Sequence, residues 1–186
     1  MKYPIFLFAL LLLLSACPAS SRKADQEGLQ HQEARISTIY LLRHAEKDLT
    51  SPGVDKRNPP LSAEGQARAQ QLRHNLKDAG IDRIFSSDYI RTRTTVQPLA
   101  ELLGLEIEGY NAKELPPFAE QLKELSGNIL VSGHSNTTPK LVKLLGGAPG
   151  PAIKEKTEFD RLYVLTLREG KLLSAVLTRY GQAPED

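Results

Sequence analysis

The chain has 186 residues, with 24 lysines and arginines against 22 acidic residues, four histidines, one cysteine and no tryptophan. This near balance of charge argues against a nucleic-acid binder, which carries a basic stripe or a strongly basic domain, and a lone cysteine forbids an internal disulfide. The fold must therefore rest on its core, and a domain of about 150 residues buries roughly 70% of its unfolded-chain surface, enough for a single core without staples.

The first element is a cationic lead, Lys2, followed by an apolar run from Ile5 to Leu14. That pattern reads as a secretory signal, since a spanning helix needs about 20 apolar residues. Leu14-Ser15-Ala16-Cys17 resembles a bacterial lipobox. The resemblance implies that residues 1–16 are a lipoprotein signal peptide and that Cys17 is lipidated. Residues 17–35 then form a polar tether, in which His31 is a bystander, and residues 36–186 form the folded domain. The expected location is the bacterial cell envelope, lipid-anchored on the extracytoplasmic, periplasmic side. Acyl chains hold a protein there because each buried methylene contributes about 0.8 kcal/mol. Loss of Lys2 with the leader takes the formal charge from +2 to +1.

From Ile36 onward apolar strands alternate with amphipathic helices, the pattern of an α/β domain with a mainly parallel sheet between two helical layers. The strand Ile36–Leu42 leads straight into Arg43 and His44. A helix from Ser62, a good N-cap, to Ala79 carries the buried stripe Ala69, Leu72, Leu76 and Ala79, with Gly80 as its stop and His74 off the stripe at the surface. Ile84–Ser87 forms a strand, and Tyr89–Leu103 a helix that packs through Val96, Leu99, Ala100 and Leu103 and should bend or break at Pro98. A strand over Leu105–Gly109, a short helix over Pro117–Leu125 and a strand over Asn128–Gly133 follow, the last delivering His134. Pro139 suits the first turn of the next helix, where backbone N–H groups from Ser135 to Thr138 can face an anion; Thr137 and Thr138 read equally well as plain caps. Arg161–Leu167 and Lys171–Tyr180 form a closing hairpin.

Three strand ends thus present Arg43 and His44, Arg91, and His134. Chemistry in open α/β sheets gathers at the carboxyl ends of strands, and guanidinium groups take phosphate oxygens in bidentate fashion where lysine acts as a point charge. A neutral imidazole can attack phosphorus if its second ring nitrogen is held by an acceptor. Neighbouring arginines lower its pKa and keep it neutral. An arginine beside a histidine is a common dipeptide, so the reading rests on the convergence of three strand ends.

Leu42-Arg43-His44-Ala45-Glu46, Pro60-Leu61-Ser62-Ala63-Glu64-Gly65, Ser86-Ser87-Asp88-Tyr89-Ile90-Arg91 and Ser132-Gly133-His134-Ser135 together resemble the histidine phosphatase superfamily, the phosphoglycerate-mutase-like group. Ala45 stands where many members have glycine. The resemblance implies a phosphoglycerate-mutase-like α/β/α fold, His44 as phosphoryl acceptor, Arg43 and Arg91 as a phosphate clamp, and His134 as the second histidine on the phosphate. It implies a phosphomonoester hydrolase that needs no cofactor or metal and that acts on a phosphorylated small molecule or a phosphorylated group on a larger one. The acid for the leaving group is open between Glu114 and Glu46; the first reads equally well as a solvated turn residue, the second as a salt-bridge partner of Lys47 or Arg57. The short segment Gly109–Pro117 predicts an open mouth, which disfavours a mutase because that chemistry calls for a closed site. Two other readings compete: an idle envelope lipoprotein binding phosphorylated glycans or lipids, and a metallohydrolase using His44, Glu46 and His134, which lacks the further ligands of a catalytic zinc site.

Overall fold

The computed structural model describes residues 34–183; the expectations for the signal peptide, Cys17 and the tether around His31 fall outside the described residues. The elements in chain order are β1 (Ile36–Arg43), α1 (Ala63–Leu76), β2 (Ile81–Ser87), α2 (Ile90–Leu103), β3 (Ile107–Tyr110), α3 (Leu115–Glu124), β4 (Gly127–Gly133), α4 (Thr137–Leu144), β5 (Arg161–Arg168) and β6 (Lys171–Arg179).

The strands form one six-stranded sheet in the order β3-β2-β4-β1-β5-β6. Pairing is parallel from β3 through β2 and β4 to β1, and antiparallel from β1 to β5 and β6. Side chains of a strand point alternately to opposite faces, and both faces here are covered. Ile39, Leu41, Ile129 and Val131 enter a core under α3 and α4; Leu42 and Leu130 enter a second core under α1 and α2. This explains why β1 and β4 read as continuous apolar runs: a strand buried on both sides has no polar face to alternate with. The result is the three-layer α/β/α architecture. β6 is an edge, exposed along most of its length, with Leu173 and Val176 more than half exposed.

Several ends differ from the pattern read in the sequence. α1 stops at Leu76, because the chain turns at once with the Ala79 N–H on the Leu76 carbonyl; Ala79 still packs on the core. α2 runs unbroken through Pro98. Proline removes one backbone bond, but Val96 and Leu99 on the buried face are fully enclosed and hold the helix on line. α3 starts two residues early, with Pro116 and Pro117 in its first turn, where the N–H groups have no helical partner anyway. β3 begins at Ile107 because the Leu105 N–H is spent on the Ala100 carbonyl, closing α2.

Candidate active site

The register of β1 with β4 sets Arg43 beside Gly133, and one further bond, His44 N–H to the Gly133 carbonyl at 2.9 Å, carries the pairing past the strand end. Both histidines therefore emerge at the same edge of the sheet, their ring centroids 5.5 Å apart and edge-on. Gly133 is required there. A Cβ at that position would meet the hydroxyls of Tyr110, Thr138 and Thr137 at 2.8, 2.9 and 3.1 Å. The threonines lock the turn that follows: Thr137 Oγ1 accepts from the His134 N–H at 2.9 Å, and Thr138 Oγ1 donates to the Leu42 carbonyl at 3.0 Å.

His44 is only 3% exposed. Its Nδ1–H donates to the Ala45 carbonyl at 2.7 Å, which fixes the tautomer and leaves Nε2 with a free lone pair. Burial pushes its pKa down to about 2, with the charges of Arg43, His134 and Arg91 adding to the shift and the Ala45 carbonyl opposing it. His134 has the other tautomer. Thr92 Oγ1 spends its proton on the carbonyls of Ser87 and Tyr89, so it accepts from Ser87 Oγ at 3.1 Å. Ser87 Oγ must then accept from His134 Nε2–H at 2.9 Å, leaving Nδ1 bare. Burial, followed by Arg91, Arg43 and Lys47, lowers the pKa of His134 to about 4. Both rings are neutral at physiological pH.

Arg91 lies over the Tyr89 ring at 4.4 Å, and its buried Nε and Nη1 have no hydrogen-bond partner among the described residues. An unpartnered guanidinium beside a bare imidazole nitrogen is an arrangement that an anion completes. His44, Arg91 and His134 line one cavity of about 740 Å³. Arg43 does not line it. It is 2% exposed, stacked at 4.1 Å on Phe159, and its fork is committed to the carbonyls of Glu158 and Glu155 at 2.9 and 2.7 Å, with Nε bare. Burial lowers its pKa to about 10, so it stays charged.

The two carboxylates considered from the sequence as proton donors do not reach the cavity. Glu46 is drawn away by Arg68, whose Nε and Nη2 lie 2.9 and 2.7 Å from Oε1, a partner too distant in sequence to be guessed. Glu114 is exposed before α3 and accepts from Asn111 Nδ2 at 3.0 Å. The carboxylate lining the cavity is Glu155, which accepts from Ser135 Oγ at 2.9 Å while its carbonyl holds Arg43. Nothing in the sequence singled it out, because it lies in a Pro- and Gly-bearing loop without periodicity. Lys47, Tyr89 and Lys113 also line the cavity. The loop is anchored from behind: Arg161 grips the Glu158 carboxylate through Nε and Nη2 at 2.7 and 2.8 Å, and its Nη1 donates to the Pro151 carbonyl at 2.7 Å.

Residues 39–112 match the family model of the histidine phosphatase superfamily (branch 1). A probable phosphoglycerate mutase, GpmB, of Shigella dysenteriae is 34% identical over 101 residues, covering 52% of this chain and 41% of its own length. An Escherichia coli relative of the same name is 33% identical over 101 residues. The chain spans about two-fifths of the length of these curated relatives. Among solved structures, the protein histidine phosphatase SixA complexed with tungstate superposes with a TM-score of 0.60 at 19% identity, over 77% of this chain and 95% of that one. A mycobacterial glucosyl-3-phosphoglycerate phosphatase superposes with a TM-score of 0.58 at 16% identity, over 78% of this chain and 99% of that one. Residues 39–112 are thus similar to the histidine phosphatase superfamily (branch 1) and to phosphoglycerate-mutase-like relatives, and the solved structures share the α/β fold.

Proposed function

We propose that this chain is a phosphomonoester hydrolase that works through a phosphohistidine on His44. The observation that carries the reading is the bare Nε2 of a neutral, tautomer-locked His44 in the same cavity as the unpartnered guanidinium of Arg91. The dianionic ester binds against Arg91 and the bare Nδ1 side of His134, with the charge of Arg43 behind it. The Nε2 lone pair attacks phosphorus and the ester P–O bond breaks. Glu155 gives its proton to the departing oxygen, and its carboxylate then takes a proton from the water that attacks the phosphohistidine, releasing inorganic phosphate and restoring His44. The cationic groups stabilise charge on the equatorial oxygens throughout. Lys113, Asn136, Ala152 and Glu155 at the cavity wall are solvent-exposed, which lets water reach the adduct and favours hydrolysis over retention of a mutase intermediate.

The deciding experiment is phosphate release from phenyl phosphate, with and without chelator. His44→Ala should lower kcat on the order of 10³-fold or more, and the unaltered protein should form an acid-labile, alkali-stable phosphoenzyme. Normal turnover by the variant, or loss of activity with chelator, rejects this mechanism; tight binding of esters without turnover would instead favour a binding lipoprotein. We further propose that Cys17 anchors the protein to the extracytoplasmic face of a bacterial membrane, a reading supported by the Leu14–Cys17 pattern. If Cys17→Ser stays wholly in the membrane fraction, the anchor lies elsewhere.

A further inference from the structure

A second cavity of about 720 Å³ shares Ala112, Lys113, Asn136 and Thr137 with the first, so the two lie side by side, the second as a trough beside the first. Its remaining lining divides by chemistry. Leu115, Pro116 and Leu144 supply an apolar floor, while Lys140 and Lys143 join Lys113 around it, and among the described residues no acidic one lines it. Lys140 and Lys143 are three apart on α4 and therefore neighbours on one helix face. Among the described residues, the lysines held in ion pairs are Lys77 and Lys123; the three lysines of the trough have no such partner. Like charges gathered around an apolar surface repel one another, and an anion placed among them relieves that repulsion.

We propose that this trough is the binding site for the leaving-group half of the substrate, and that the substrate is a phosphomonoester whose alcohol carries a second phosphate or carboxylate across an apolar spacer. The inference rests on the hydrolase reading of the first cavity. The transferred phosphoryl group sits at His44 and Arg91, the spacer crosses Leu115 and Pro116, and the second anion reaches Lys113, Lys140 and Lys143.

The test compares alkane-α,ω-diol bisphosphates of graded length with n-alkyl monophosphates of the same lengths. Two equivalent ends give the bisphosphate a statistical advantage of about twofold. At a matching length, its kcat/KM should exceed that of the monophosphate by about tenfold, as expected for a few exposed ion pairs, and the advantage should shrink with added salt. In the double variant Lys140→Ala, Lys143→Ala the ratio should fall toward two. A ratio near two at every length, or one that the double variant leaves unchanged, overturns the proposal. If neither series nor phenyl phosphate is turned over, the hydrolase reading fails; where the two series alone are not turned over, their calorimetric affinities decide the second-anion site by the same ratio.

Discussion

His44 and His134 leave neighbouring strands at the same height, yet the protein gives them opposite tautomers: a carbonyl takes the Nδ1 proton of one, and a hydroxyl chain takes the Nε2 proton of the other. Positions 43, 44 and 134 were legible in the sequence because apolar runs point straight at them. What the side chains do was less legible. Arg43 spends its fork on two backbone carbonyls of a loop more than a hundred residues away, a contact that only the folded chain reveals. Glu155 was invisible for the same reason. As the carboxylate of the cavity it should matter most when the leaving oxygen is basic: Glu155→Gln should slow hydrolysis of alkyl phosphates by roughly 10²- to 10⁴-fold while barely changing 4-nitrophenyl phosphate. Equal slowing of both esters in steady-state assays would remove Glu155 from the proton-donor role.

At the scale of elements, strands and helices were visible from their apolar spacing, whereas helix ends were fixed by single hydrogen bonds that spacing does not encode. The start of α1 shows how an end serves the site. Ser62 Oγ accepts from the Gly65 N–H at 3.2 Å, and the Ser62 N–H donates to the Glu46 carbonyl at 3.0 Å, tying the helix to the segment just after His44. Gly65 packs so closely on the Glu46 carbonyl that a Cβ would collide with it. Gly65→Ala should therefore cost roughly 1–3 kcal/mol, the usual range for overpacking, read by urea denaturation. Because the shift lands two residues from His44, turnover should fall in the fraction that remains folded; a stable, fully active variant would show that this junction is not under such constraint.

For the whole molecule, keeping two imidazoles neutral in the interior has a definite sign in pH. Each has a folded pKa below the ordinary 6.5, at about 2 for His44 and about 4 for His134, so below pH 6.5 the unfolded chain binds protons that the folded one refuses. Their contribution is complete above about pH 6.5 and is lost as pH falls, at up to about 1.4 kcal/mol per pH unit for each group. Carboxylates such as Glu158, where burial is outweighed by Arg161, the Lys154 N–H and Arg179 and the pKa falls to about 2, begin to contribute to acid loss only below about 4.5. Chemical denaturation between pH 6.5 and 5 thus isolates the histidines. His44→Gln should flatten the slope in that window, and an unchanged slope would mean that His44 is not held neutral by the fold.

The sheet order carries one more consequence. β1, the strand that leads into His44, lies between β4 and β5, pairing with residues about 90 and about 125 positions further along. During synthesis β1 waits for two strands made much later, so the cavity around His44 is assembled late and by non-local closure, which is slow. An emerging chain of this design remains a substrate for chaperones and proteases until the β5–β6 hairpin has left the ribosome.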